Sequence, residues 1–361
     1  MALVTFDFLD VGQGDGTFVQ VFDPPNYQQP VWTALVDYGS VKNRWVTGRD
    51  AGQYLASRLE AVYRKRGSRI IDLLVLTHGD QDHYNLLPML IQRVPTVRFG
   101  EVVYGGEEAE YWGHENPWDT STPLYNAIQL VRARTDNGTF GVPNVRSLPS
   151  DCSSFRNGVL NTWRSHGDLT IHIVQANFPY DSFRRTNEKS VVLLFKAYGH
   201  KVLLPGDATY MTMREIVAHL NAEGTTGEVA GTTALRLPHH GSERTARSYS
   251  RSDPWKPTRD FAALLGADMI VVGADVHGRF RHPRETLIQQ YRPHVGTGIY
   301  KPSVGQNHRF VSWGPDTNDV DTWVHEDTAD NVFTSLTAMY QGVQWQLRLT
   351  RTLLPQLYST E

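Results

Sequence analysis

The sequence predicts an α/β fold, and three features carry that expectation. Short apolar runs, such as residues 73–76, have the length and continuity of buried strands. Other stretches place apolar residues at helical spacing, as Leu55, Leu59 and Val62 do. Several apolar runs end in a glycine-containing turn that carries acids or histidines, which is where open α/β sheets gather their functional groups.

Taken in order, residues 3–9 alternate apolar residues with Thr5 and Asp7 and read as a half-buried strand. The turn Asp10-Val11-Gly12-Gln13-Gly14-Asp15-Gly16 follows, then a strand over 17–22. No helix and no Lys-Ser/Thr pair follow the glycines, so the turn is not a nucleotide P-loop. It reads as a tight hairpin whose Asp10 and Asp15 brace a neighbouring loop. A third strand, 32–36, leads to Asp37-Tyr38-Gly39, where the carboxylate is placed to accept backbone N–H groups from a nearby loop. Residues 52–66 read as a helix, 73–76 as a strand, and 85–93 as a helix leaving that strand's terminal loop.

Residues 97–150 are less regular. A strand at 102–104 is expected, with His114 at the surface and a helix over 123–134 capped by Thr122, Pro123 being at its first position. A lid or substrate wall is the one functional role read there. Beyond it, 169–175 alternates as a strand that includes His172, 190–197 and 201–204 form a hairpin ending in Gly206-Asp207, and 209–220 reads as a helix. A short strand at 234–237 ends in Pro238-His239-His240-Gly241-Ser242. A strand at 269–272 precedes a loop with His277 and His282-Pro283, a helix covers 285–291, and closing strands are expected at 298–300, 309–313 and 344–351. The acidic stretch 316–330 reads as a surface insertion.

The chemistry concentrates at Thr77-His78-Gly79-Asp80-Gln81-Asp82-His83. Imidazole nitrogens and carboxylate oxygens at this density suit divalent ions such as zinc or manganese. His239 and His240 form a second ligand cluster, and Asp207 supplies a further acid at a strand end. The single cysteine, Cys152, excludes an internal disulfide and a cysteine-rich metal site. Net charge is −3 over 361 residues, so whole-chain basicity does not announce a nucleic-acid partner. Arginines are nonetheless dense over 236–251 and 279–284, and Arg236, Arg244 and Arg281 are candidates for phosphate contact or plain surface charges. The N-terminal residues lack the pattern of a signal peptide, and no apolar run approaches the roughly 18 residues of a spanning helix. A cytoplasmic protein without membrane contact is expected.

This ordered set resembles the metallo-β-lactamase fold, a four-layer αββα sandwich. The variant signature His78-x-Asp80-x-Asp82-His83, with Asp10-Val-Gly-Gln-Gly-Asp15, Asp37-x-Gly39, Gly206-Asp207, His239-His240-Gly241-Ser242 and His282-Pro283, is similar to the branch containing the hydrolase domain of the competence DNA-uptake protein ComEC. The resemblance implies a single domain over 1–361 with an insertion at about 97–165 and a C-terminal extension from about 314. It also implies two divalent ions, zinc first and manganese open. His78, Asp80 and Asp207 would hold one; Asp82, His83 and one of His239 and His240 would hold the other, with Asp207 bridging. His240 is preferred because it precedes Gly241. Most of the superfamily has a further histidine near Asn187; here there is none, so one site is richer in oxygen ligands.

As catalytic residues the reading names Asp82, to orient the attacking hydroxide, the bridging Asp207, and His282, to assist the leaving oxygen or brace its loop. The expected function is a metal-dependent phosphodiesterase or nuclease acting on nucleic acid or a nucleotide. The alternatives are an acyl hydrolase, for a lactone, thioester or β-lactam, and a non-catalytic metal-stabilised scaffold.

Overall fold

The computed structural model describes residues 3–9, 11–23, 29–41, 51–114, 120–136, 144–148, 155–156, 159–177, 186–274, 282–296, 298–302, 310–313, 343–349 and 356–359. Asp10, Cys152, His277, Arg279, Arg281 and the acidic stretch 316–330 lie outside those residues. The chain forms two compact units, Met1–Leu148 with Glu326–Glu361, and Pro149–His325.

The first unit holds β1 (Leu3–Leu9), β2 (Gly16–Phe22), β3 (Trp32–Tyr38), β4 (Ile70–Leu76), β5 (Arg98–Tyr104), β6 (Trp112–His114), β7 (Leu124–Asn126) and β8 (Val145–Ser147). From the C-terminal end it adds β19 (Val343–Leu349) and β20 (Gln356–Ser359). Its eight-stranded sheet runs β20-β19-β1-β2-β3-β4-β5-β8. β19 lies antiparallel to β1, so part of the expected C-terminal extension is a sheet strand. Likewise β5 and β8, within the expected insertion, continue the sheet in parallel from β4.

The β3-to-β5 stretch is parallel because helices α1 (Ala51–Arg66) and α2 (Leu87–Arg93) make the crossovers. α1 buries Tyr54, Leu55, Arg58, Leu59 and Val62 along one stripe, and Arg64, Lys65 and Arg66 close its last turn, where cations favour the helix dipole. Leu55, Leu59, Leu74, Leu87, Leu90 and Phe99 belong to the fully buried core of this unit.

The expected helix over 123–134 is shorter than read. Leu124–Asn126 pairs with β6, and α3 (Ala127–Arg132) begins only afterwards. The reason is the cap: Asn126 Oδ1 accepts from the backbone N–H groups of Ile128 and Gln129, and its Nδ2 donates to the Glu108 carbonyl. Thr122 is therefore not the cap. His114, expected at the surface, is half-buried in β6, with Nδ1 bonded to the Thr122 carbonyl at 2.9 Å.

The second unit holds β9 (Phe155–Arg156), β10 (Val159–Leu160), β11 (Arg164–His166), β12 (Leu169–Gln175), β13 (Val192–Ala197), β14 (His200–Leu204), β15 (Ala234–Arg236), β16 (Met269–Val271), β17 (Gly298–Pro302) and β18 (Phe310–Trp313). β11 through β18 form an eight-stranded sheet in sequence order, parallel from β14 to β17. Its helices include α4 (Tyr210–Ala222), capped by the Thr209 hydroxyl, α5 (Glu243–Ala246), α6 (Lys256–Leu265) and α7 (Glu285–Tyr291). α6, not assigned from the sequence, buries Phe261, Ala262 and Leu265 and stops at Gly266, whose φ of 49° gives the left-handed C-terminal cap. Among the described residues no helix is long and apolar enough to cross a membrane.

One polar network registers α1 on the first sheet. Asp7, fully buried on β1, accepts from the Tyr54 hydroxyl and from Gln20 of β2, and Gln20 Oε1 accepts from Arg58 Nε at 2.7 Å. A buried carboxylate that loses a donor keeps its desolvation cost, so Tyr54→Phe is expected to lower unfolding stability by about 1.5–3 kcal/mol. Urea titration measures it; an unchanged midpoint would remove the network from the stability of this unit.

Candidate metal centre

In both units the ligand-type residues follow the carboxyl ends of parallel strands. In the first, the loop after β4 carries His78, Asp80, Asp82 and His83, and β3 beside it carries Asp37. His78, His83 and Asp37 are fully buried, while Asp80 and Asp82 are partly exposed. The His78 and His83 rings lie 4.1 Å apart between centroids, and His78 Nε2 is 3.6 Å from Asp80 Oδ2.

Asp37 organises this loop. Its Oδ1 accepts the Thr77 backbone N–H at 2.7 Å, and its Oδ2 lies 2.7 Å from the Thr77 hydroxyl and 2.8 Å from His83 Nδ1. A carboxylate only accepts, so His83 carries its proton on Nδ1 and presents Nε2 as a lone pair. The Thr77 hydroxyl donates to Asp37 and so accepts from His78 Nδ1 at 3.0 Å, which turns His78 Nε2 into a lone pair too. One acid thus fixes the tautomer of two histidines, directly and through a hydroxyl, the usual support of metal-binding imidazoles. Asp37 itself sits at φ 57°, a left-handed conformation that acids tolerate better than most residues.

The neighbouring loops hold this arrangement. Asp15 donates its backbone N–H to the Asp82 carbonyl and accepts from Gly39 N. Ser40 and Asn85 exchange two 2.8 Å bonds, Ser40 N to Asn85 Oδ1 and Asn85 Nδ2 to the Ser40 carbonyl. Asp37 accepts from the loop through its carboxylate as expected, whereas the bracing shown for Asp15 runs through its main chain. Burial, followed by Asp80 and Asp82, pushes the Tyr84 phenol well up, and its hydroxyl donates to the Trp112 carbonyl.

In the second unit, Asp207 follows β14 and His239 and His240 follow β15. His239 N donates to the Gly206 carbonyl, and Asp207 N donates to the Ser190 hydroxyl. Both histidines have positive φ, 48° and 52°, which aims two adjacent side chains at one carboxylate. His239 Nε2 is 3.4 Å from Asp207 Oδ2, and His240 Nε2 is 3.5 Å from Asp207 Oδ1.

The two rings differ in tautomer. His240 Nδ1 lies 2.9 Å from the Gly273 carbonyl, so it donates there and leaves Nε2 as a lone pair. His239 Nδ1 faces Asn187 Nδ2 at 2.9 Å, while Asn187 Oδ1 accepts from the Thr186 hydroxyl. The amide therefore donates to His239 Nδ1, and a neutral His239 carries its proton on Nε2. His240 has the ligand tautomer and His239 the donor tautomer.

His282 is buried, its ring 6.3 Å from that of His239. Burial first, then His240 and His239, hold its pKa down to about 4, so it is neutral at pH 7. Its place depends on Gly241, where an added Cβ would lie 2.4 Å from Pro283 Cβ; Arg284 N donates to the Gly241 carbonyl. Of the candidate phosphate contacts, Arg236 is buried in β15 rather than a surface charge, and Arg244 is exposed.

Each cluster by itself has donors of the kind a divalent ion takes: in the first unit His78 and His83 present Nε2 lone pairs, with Asp80 3.6 Å from His78 Nε2, and in the second His240 presents one 3.5 Å from Asp207. Thr77, Ser190 and Asn187 were not assigned roles from the sequence. Adjacency to the ligands is the one signal for Thr77, the missing histidine is the one signal near Asn187, and Ser190 has none.

No protein-family model matches the chain. It is 23% identical over 295 residues to ComE operon protein 3 of Bacillus subtilis strain 168, a match covering 80% of this chain and 30% of that protein. Similar solved structures include the metallo-β-lactamase fold protein YhfI of Bacillus subtilis, 11% identical, covering 84% of this chain and 98% of that one with a TM-score of 0.40. The metallo hydrolase Igni18 of Ignicoccus hospitalis is 14% identical, covering 86% and 98%, with a TM-score of 0.41. Zinc-bound PqqB of Methylobacterium extorquens is 10% identical, covering 84% and 98%, with a TM-score of 0.39. The mixed α/β class expected from the sequence is the class observed, and metallo-β-lactamase-fold proteins are among its structural neighbours.

Two outcomes follow from the tautomers. Asp37→Asn turns an NH2 group toward His83 Nδ1 and reverses that ring, so metal affinity is expected to fall about 10- to 100-fold. Competition with a chromophoric chelator measures it, and unchanged affinity would remove Asp37 from the centre. His240→Ala is expected to lose bound metal by elemental analysis while His239→Ala retains most of it; equal retention would defeat the tautomer assignment.

Proposed function

We propose that the chain is a metal-dependent hydrolase acting on phosphodiesters of nucleic acid or a nucleotide, with its two units the halves of one metallo-β-lactamase-fold domain. The observation that carries this reading is the pair of Nε2 lone pairs that Asp37 sets on His78 and His83 beside two further acids. Such second-layer support is what metal-binding histidines require, and a scaffold without metal has no need of it. The proposed ligands are His78, Asp80, Asp82 and His83 in the first unit, and Asp207 and His240 in the second. Zinc suits the histidines, and the share of carboxylates leaves manganese as the second candidate.

Divalent ions in such a centre lower the pKa of bound water and offset charge on the attacked phosphoryl group. The residues do the rest. Asp82 accepts a hydrogen bond from the attacking water and orients it. His239, with its proton on Nε2, donates to a substrate oxygen, and neutral His282, its ring 6.3 Å from that of His239, assists the leaving oxygen or braces its loop. The carboxylate-rich set and the exposed Arg244 favour a phosphoryl over a carbonyl substrate. The resemblance of the motif set to the hydrolase domain of a competence DNA-uptake protein supports a nucleic-acid substrate.

Turnover of bis-p-nitrophenyl phosphate with added zinc or manganese, run beside a lactone and a β-lactam, tests the reading. Phosphodiester hydrolysis that falls at least about 100-fold in Asp207→Ala is the expected result. Carbonyl turnover alone would move the protein to acyl hydrolysis, and silence on all substrates with metal bound would leave a scaffold.

A further inference from the structure

The ribbon formed by β6 and β7 has a role that the metal ligands do not account for. Its register pairs Trp112 with Asn126, Gly113 with Tyr125, and His114 with Leu124. Side chains of directly paired residues share a face, so Trp112, His114, Leu124 and Asn126 lie on one side and Tyr125 on the other. Tyr125 is buried, and so is Asn126, which caps α3. Trp112 is 48% exposed and Leu124 63% exposed. A large indole and a leucine left in water on the same face are a feature to explain rather than the usual scatter of surface apolar residues.

That face is fastened to the ligand loop. The Trp112 carbonyl accepts from the Tyr84 hydroxyl at 2.8 Å and from Gln81 Nε2 at 3.4 Å, and these two residues flank Asp82 and His83. Glu110 lies against Gly79, where an added Cβ would sit 2.5 Å from Glu110 Cβ, so only glycine admits this approach between His78 and Asp80. Buried Tyr111 ties the ribbon to strand ends through its hydroxyl, bonded to the Gly105 carbonyl at 2.7 Å, while Asn126 Nδ2 holds the Glu108 carbonyl at 2.8 Å. The backbone under Trp112 is therefore fixed relative to His78, Asp80, Asp82 and His83.

We propose that Trp112, with Leu124, is the platform on which a base of a single-stranded nucleic-acid substrate stacks beside the phosphate to be cleaved, an inference that rests on the phosphodiesterase reading. In a single strand each base is attached one sugar away from its phosphate, so a binding wall next to the ligand loop meets a base when the loop meets the backbone. Aromatic stacking accepts any base, because every base has a π-face. The platform thus selects unpaired strands without selecting sequence.

The test is binding of a fluorescein-labelled oligothymidylate against an abasic strand of the same length, both with phosphorothioate linkages, followed by anisotropy. The unsubstituted protein is expected to prefer the thymidine strand by roughly 5- to 150-fold, the span of one stacked base. Trp112→Ala should bring that ratio close to one with affinity for the abasic strand unchanged, and Trp112→Phe should keep most of it. No preference in the unsubstituted protein, or a preference that survives Trp112→Ala, overturns the platform. Hydrolysis of methyl p-nitrophenyl phosphate, which has no base, by the unsubstituted protein judges the phosphodiesterase reading apart from this. Turnover there without base preference sinks the platform alone, whereas a Trp112-dependent preference without turnover sinks the reaction and leaves the platform.

Discussion

The carboxylate of Asp37 is the contact on which the rest of the first unit's chemistry depends. It receives a backbone N–H and a hydroxyl from Thr77 and a ring nitrogen from His83, all within 2.8 Å. An acid with no exposed surface is tolerated only when its oxygens are satisfied, and here their satisfaction determines which nitrogens the two histidines present. The left-handed backbone at Asp37 is the local cost of aiming that carboxylate across from β3 to the loop after β4. Positive φ recurs in the second unit at His239 and His240, so both candidate clusters include residues in backbone conformations that most side chains avoid. Strain of this kind persists where surrounding bonds over-determine it, and here those bonds come from Thr77, Gly206 and Gly273.

The second unit solves the same problem with different parts. A main-chain carbonyl, not an acid, sets His240, and an amide sets His239 the other way. Adjacent histidines that look interchangeable thereby take complementary roles, one as an electron-pair donor and one as a hydrogen-bond donor. The contact of Asn187 with His239 orients that ring's Nε2–H on the side of Asp207.

Rigidity around the ligand loop has a further consequence. Tyr84, Gln81 and Glu110 hold the β6–β7 ribbon against the loop, so Trp112 and Leu124 keep a fixed relation to the first unit's ligands. A substrate wall built this way adds little backbone ordering cost on binding, because the strand that carries the indole is already placed.

Much of the candidate centre was legible in the sequence because its ligands are local: a strand followed at once by His78, Asp80, Asp82 and His83 needs no knowledge of the fold. The apolar runs of β4, β13 and β15 and the spacing in α1 were legible for the same reason. Asn126 shows where local reading fails, since Thr122 and Pro123 looked like a better helix start until pairing with β6 claimed Leu124–Asn126. The sequence alone determined which side chains are available and in what order. Tertiary structure decided the pairing of β19 with β1, the attachment of Trp112 to the loop and the tautomer of each histidine. A tautomer depends on the partner of the other ring nitrogen. For His83 that partner is 46 residues away in Asp37, and for His240 it is 33 away in Gly273, so no local pattern contains it.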